Sequence, residues 1–238
     1  MEEIIVKFAE SEEELMQTYK LRFEELVKEY DEGNDEKIDF QEYDNYSKQL
    51  IAIVSGEVIA CYRLAYAKDL GDMPFICEKE YNIDCLKNTF KNVLGLSRAV
   101  IRKDYRNGKV LIKLWKEVIK YCKDNDVDVL IGTASFYGVD RNEYLNELSL
   151  LASEYMLDSK LNVTSKDGLP LMDYISLSDE EKEKAYQNLP PLIKAYIRFG
   201  AKFARDSFVD EGFKSVDVFV CFPFKNNDSS FLKRICEE

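Results

Sequence analysis

Histidine is absent from all 238 residues. That removes the Ser-His-Asp and Cys-His nucleophile arrangements, zinc sites that use imidazole, and the side chain whose ordinary pKa lies nearest neutrality. Chemistry here must use carboxylates, tyrosine, lysine, cysteine or the backbone. Long apolar runs are also missing: none approaches the roughly 20 residues that cross a bilayer. The first residues, MEEIIVKF, are acidic where a secretion signal would be basic, so a cytoplasmic protein is expected. The six cysteines, Cys61, Cys77, Cys85, Cys122, Cys221 and Cys236, show no CxxC spacing and read as reduced core thiols, with no metal expected. Positive charge is short overall: 33 Lys and Arg face 45 Asp and Glu, a net charge of −12. A general role on nucleic acid is therefore disfavoured, because such binding needs a basic footprint.

The basic residues that do occur are concentrated. From Leu86 to Lys123 eleven Lys or Arg stand against Asp104 and Glu117, a local balance of +9 that leaves −21 for the rest. This stretch contains the strongest chemical signal in the chain. Val93 to Ile101 is apolar and β-branched, as in a buried strand, and the residues after Gly108 have helical spacing. A strand that turns through Arg106, Asn107 and Gly108 into a helix opening at Lys109 would present unpaired N–H groups and the positive end of the helix dipole, which suits a phosphate. On that helix Leu111, Leu114, Trp115, Val118 and Cys122 fall on one face. Lys109, Lys113, Lys116, Lys120 and Lys123 fall on the other.

The remaining elements read in order. Ile4 to Phe8 is a strand, and Ser11 with Glu14 forms a capping box opening a helix to about Tyr30. Arg22, within it, is either a surface charge or points inward at an anion. A polar, acidic stretch carrying Asp39, Glu42 and Asp44 reads as a solvated loop. Two apolar runs around Ser55-Gly56-Glu57 make a hairpin, with Arg63 in its second strand either at an edge or paired with something buried. Asp69 to Asn92 is a loop with a short helix. VDVLIGTASF is a strand whose end, Gly132 to Ser135, is small enough for a ligand to approach the backbone or simply to relieve packing. A helix over Asn142 to Leu157 follows. Residues 161–189, with a second capping box at Ser178 and Glu181, read as an insertion or lid. Pro190 and Pro191 open a helix whose Lys194, Arg198, Lys202 and Arg205 form another basic stripe. VDVFVCFPF is a buried strand before a charged tail. The pattern predicts a single α/β domain over residues 1–238 with a mixed sheet, and the Rossmann glycine fingerprint is absent.

On these residues the chain resembles the GNAT acyltransferase superfamily. It is more closely similar to the branch of ornithine acyl-carrier-protein N-acyltransferases and acyl-homoserine-lactone synthases. The pieces that carry the likeness are LRFEELVKEY, FQEYDNYSKQLIAI with GEVIACYRL, LSRAVIRKDYRNGKVLIKLW, IGTASFYGVD, and LPPLIKAYIRFGAKF ahead of SVDVFVCF. The resemblance implies a GNAT-like, mainly antiparallel central sheet flanked by helices. It also implies transfer of a fatty acyl group from a phosphopantetheine thioester, on acyl carrier protein or CoA, to the amine of an amino acid or similar small acceptor. No permanently bound cofactor is implied. Arg22, Asp44, Arg63 and Arg98 match polar residues lining the acceptor side, and Arg106 with Gly108 matches the phosphopantetheine turn. Where the branch usually has acidic residues, this chain has Gly95 and Gln41.

Such a reaction needs a base for the amine, a donor for the tetrahedral oxyanion and an acid for the thiolate. Asp44 or Glu42 acting through a water is the expected base. Backbone N–H groups at Gly95 and Leu96, freed by a bulge at the glycine, are the expected oxyanion donors, and a tyrosine such as Tyr137 is a candidate acid. Arg98 is either a carboxylate clamp or a structural ion pair. Ser135 joins Arg22 and Arg63 as a candidate substrate contact. The alternatives are a catalytically silent acyl-thioester or lipid-binding protein, and a membrane-surface protein using the Pro190 to Arg205 helix.

Overall fold

The computed structural model describes residues 3–28, 35–169 and 171–225. Tyr30, Cys236 and the charged tail lie outside the described residues. The elements in chain order are strand β1 (Ile5–Phe8), helix α1 (Glu12–Arg22), β2 (Lys48–Val54), β3 (Glu57–Tyr66), α2 (Ala67–Leu70), β4 (Tyr81–Asn82), α3 (Asp84–Thr89), β5 (Val93–Ile101), α4 (Lys109–Asp124), β6 (Val129–Tyr137), α5 (Leu145–Glu154), β7 (Thr164–Ser165), α6 (Asp179–Asn188), α7 (Pro191–Phe199), β8 (Lys202–Asp210) and β9 (Ser215–Pro223). The fold is mixed α/β with mainly antiparallel sheet, as the sequence leads one to expect.

The chain forms two compact units, one of Met1–Pro74 with Leu94–Val127 and one of Phe75–Val93 with Asp128–Glu238. In the first unit β1, β2, β3 and β5 pair in that order, all antiparallel. The β2–β3 hairpin turns at Ser55 and Gly56, both at positive φ, as its sequence demands. Its core packs Leu21, Ile51, Val58, Cys61 and Val100 together. The predicted capping box holds: Ser11 Oγ accepts from Glu14 N–H at 3.2 Å, and Glu14 accepts from the Ser11 backbone at 3.3 Å. The α-helix ends sooner than its periodicity suggests, at Arg22, and passes into a π-helical turn over Phe23–Val27. Helix α4 buries Val110, Leu114, Trp115, Val118, Ile119 and Cys122, while Leu111 is only half-buried. The core face is thus rotated slightly from the one expected.

In the second unit β6, β9 and β8 pair antiparallel, and β4 pairs β7. One element was misread from sequence. The helix opened by the two prolines stops at Phe199, where Gly200 at φ 92 forms a left-handed cap, and Lys202 to Asp210 is strand β8. Lys202 and Arg205 therefore belong to a strand and not to a helical stripe. The apolar residues Ile193, Tyr196 and Phe199 of α7 are buried in the core, so they do not form a face for a membrane. No helix among the described residues is long and apolar enough to cross a membrane. The thiols of Cys61, Cys77, Cys122 and Cys221 are free and buried, and burial pushes Cys61 and Cys221 up to about 12.

Candidate active site

Two features of the first unit are candidates for the chemistry. The first is a buried network of three arginines and two aspartates. Arg22 comes from the last turn of α1, where the π-helical turn interrupts the regular ladder, a local irregularity that often accompanies a functional site. Its side chain is fully buried. Nε donates to Asp39 Oδ2 at 2.8 Å, and the guanidinium fork grips Asp44 at 2.7 and 3.1 Å. The reading of Arg22 as a surface charge is thereby overturned. Burial alone would favour its neutral form, but the Asp44 and Asp39 carboxylates override that and raise its pKa.

The stretch read as a solvated acidic loop supplies both buried aspartates. Asp39 is 6% exposed and also accepts from Arg98 Nε at 2.7 Å, so Arg98 forms an ion pair. Burial pushes the Asp39 carboxyl up, and Arg98 and Arg22 together hold it below the usual carboxylate range. Asp44 accepts from Arg22, from Gln49 Nε2 at 3.0 Å, from Gln41 N–H at 2.8 Å and, more distantly, from Arg63 Nη1 at 3.4 Å. A carboxylate has about four lone-pair sites. Asp44 has them occupied by these donors, as an anchor for the arginines. Glu42, on the same 3₁₀ turn, is exposed.

Arg63, on β3, is 1% exposed and lies in the core, not at an edge. Its Nε donates to Ser97 Oγ at 2.9 Å and its Nη1 to Gln41 Oε1 at 3.0 Å. Its Nη2 is buried with no hydrogen-bond partner. Burial pulls the Arg63 pKa down to about 10. With Arg22, Arg63 and Arg98 set against Asp39 and Asp44, the network holds one positive charge in excess. Sequence reasoning missed Gln49, Ser97 and the central place of Asp39, and no local signal marked them.

The bulge expected at Gly95 lies elsewhere. Gly95 pairs Ala65 and Leu96 pairs Leu64 in regular register, whereas the register slips between the Arg63–Ser97 and Cys61–Val100 pairs. Arg98 takes up the slip at φ 51, a left-handed conformation uncommon for a non-glycine residue. The irregular backbone is thus at residues 98–99.

The second feature is the turn into α4. A 3₁₀ turn over Lys103–Tyr105 leads through Arg106 and Asn107 to Gly108 at φ 82, the N-cap of a 16-residue helix. Asn107 Oδ1 accepts from Lys109 N–H at 3.1 Å, and the N–H groups of Val110 and Leu111 have no acceptor within the helix. Arg106 donates to Ile101 O at 2.7 Å and to Glu25 Oε2 at 2.6 Å while remaining half exposed. The expected phosphate turn therefore has the expected backbone, with its arginine tethered to the π-helical turn that follows α1. Ser135 belongs to the second unit. It is exposed on β6 opposite Asp217 of β9, and Tyr137, two residues on, is 80% exposed.

Residues 21–116, which contain both features, match the family model of the acetyltransferase (GNAT) domain. The chain thus carries a GNAT acetyltransferase domain over these residues. Across 226 residues it is 25% identical to an L-ornithine N(alpha)-acyltransferase of Rhodobacter capsulatus, covering 90% of this chain and 87% of that one. An L-ornithine N(alpha)-acyltransferase of Agrobacterium fabrum is 27% identical over 91% of this chain and 80% of its own length. An N-acyl amino acid synthase from uncultured soil microbes has the same fold at a TM-score of 0.59 and 7% identity, covering 98% of this chain and 99% of that one. So does a CoA-dependent acyl-homoserine lactone synthase bound to SAM and isopentyl-CoA, at a TM-score of 0.55 and 12% identity over 99% of this chain and 89% of that one.

Proposed function

We propose that this protein moves a fatty acyl group from the phosphopantetheine thioester of an acyl carrier protein to the α-amine of a basic amino acid of the ornithine type. The observation that carries the acceptor side is Arg63 Nη2, a buried guanidinium N–H without a partner, in a network with one positive charge in excess. An α-carboxylate supplies both the acceptor and the missing negative charge, and a guanidinium suits it geometrically. Glu42 takes the proton as the amine attacks the thioester carbon. The bulge at residues 98–99 lies beside the developing oxyanion, and collapse of the tetrahedral intermediate expels the pantetheine thiolate. The phosphate of the arm rests on the first turn of α4 at Gly108 and Lys109, where the helix dipole favours an anion.

The test is turnover of acyl carrier protein and CoA thioesters against single amino acids, followed by mass spectrometry of the products. An N-acyl amino acid is the expected product, and Arg63→Lys should raise the acceptor KM far more than the donor KM, because a fork is lost while a charge is kept. Equal effects on both substrates in a folded variant would remove the carboxylate from Arg63.

A further inference from the structure

We infer that the second unit carries a site for a hard divalent cation of the Ca²⁺ or Mg²⁺ class, held by the carboxylates of Glu80, Asp210 and Asp217. This inference does not rest on the acyl-transfer reading. Glu80 precedes β4, Asp210 ends β8 and Asp217 lies within β9, yet one oxygen from each falls within 4.8 Å of the others. Ligand oxygens around a cation bound at about 2.0–2.6 Å have separations of this order. Without a cation, the three carboxyls crowd one another, with Glu80 hydrogen-bonded to Asp217.

The other acids of this region have backbone donors. Asp167 accepts from Leu169 N–H at 2.9 Å and from Val209 N–H at 3.1 Å, and Asp206 accepts from Ser165 N–H at 3.2 Å. Asp210 keeps Oδ1 on the N–H groups of Gly212 and Phe213, at 2.8 and 3.0 Å. Asp217 differs from these. It is 5% exposed, and its Oδ1 is buried with no hydrogen-bond partner.

An independent observation comes from a residue that is not acidic. Ser215 projects from the same face of β9 two residues earlier, is also 5% exposed, and buries its Oγ without a partner. The Tyr81 hydroxyl faces the backbone, donating to the carbonyls of Asp217 at 2.8 Å and Asp206 at 3.3 Å. The hydroxyls of Ser135 and Ser215 and the Glu80 carboxyl lie beside the Asp217 carboxyl, and none of them carries a positive charge. A buried carboxylate with no positive partner is costly, and a cation supplies the missing charge. Because the ligand set is all oxygen, it favours Ca²⁺, Mg²⁺ or Mn²⁺ over zinc or copper. The ion would tie the segment before β4 to the β8–β9 hairpin, acting on stability and not on the reacting atoms.

The experiment uses the whole protein freed of metal with a chelator, then titrated with CaCl₂ or MgCl₂ by calorimetry and thermal unfolding. One saturable site per chain and a rise in Tm are expected. Asp217→Asn should weaken binding on the order of tenfold or more, while Asp104→Asn, at an exposed acid paired with Arg102, should leave it unchanged. Because Asp217→Asn can fail to fold, Tb³⁺ luminescence sensitised by Tyr81 is read on the unaltered protein, with displacement by Ca²⁺. No saturable Tb³⁺ signal, or a Tm indifferent to both cations, overturns the site and leaves a proton shared between Glu80 and Asp217 as the reading of the cluster.

Discussion

Asp44 anchors two arginines, and that role sets what its loss should do. Asp44→Asn keeps the shape but removes the charge opposite Arg22, leaving a fully buried guanidinium under-compensated. Breaking a buried pair in this way costs about 3–5 kcal/mol. Urea unfolding should show the loss. Glu42→Gln, at an exposed position, should change stability by less than about 0.5 kcal/mol and lower kcat. An unaltered kcat would remove Glu42 as the base. Asp39 links the network to pH. Its folded pKa is depressed by Arg98 and Arg22, so its stabilising contribution is present above the unfolded value of about 3.9 and is lost as pH falls through the folded pKa. The urea midpoint should therefore fall in acid below the ordinary carboxylate range. Asp39→Asn should lower stability at neutral pH and flatten that acid limb.

At the level of elements, the turn into α4 depends on one backbone conformation. Gly108 has φ 82, and a Cβ placed there would meet nothing within 4 Å, so the cost of substitution is conformational and not steric. Gly108→Ala should lose on the order of 1 kcal/mol. Gly108→Asp adds a negative charge at the helix N-terminus where the donor's phosphate is proposed to lie. It should fold, because an acidic side chain suits that helix end, yet bind the acyl thioester much more weakly. Calorimetry with the CoA thioester measures this directly, and an unchanged affinity would move the phosphate elsewhere. The same backbone logic explains the misread end of α7. Gly200 at φ 92 stops the helix in a left-handed cap, although helical spacing of apolar residues continues past it.

For the whole molecule, the question is how a chain of net charge −12 would receive the acidic carrier protein proposed as its donor. Lys109, Lys120 and Lys123 are exposed on α4 and Lys116 half exposed, with Lys103 and Arg106 exposed at the turn. Lys113 is tethered, donating from Nζ to the Ile4 carbonyl at 3.2 Å, so the stripe is best tested without it. Exposed charges are screened over about 8 Å at physiological ionic strength, so steering by this surface should appear in the association rate and weaken with salt. Replacing Lys116, Lys120 and Lys123 by Glu should slow turnover with acyl carrier protein and flatten its salt dependence. Turnover with a short acyl-pantetheine should be spared. An equal effect on both donors would favour CoA as the physiological donor.

The sequence by itself determined what depends on neighbours in the chain. The capping boxes at Ser11 and Ser178, the Ser55-Gly56 hairpin, the strand from Val93 and the Gly108 turn all stand where local backbone and side-chain preferences put them. The absence of histidine confined the chemistry before any fold was known. Tertiary structure decided the rest, because burial and pairing are properties of contacts between distant residues. It turned an acidic loop into the buried partner of three arginines and moved the β5 irregularity from Gly95 to Arg98 through its register with β3. It also left Arg63 Nη2 and Asp217 Oδ1 buried without partners. Nothing in the local sequence distinguishes Asp39 from its solvated neighbours. Only the approach of Arg22 and Arg98, 17 and 59 residues away, makes burying its charge favourable.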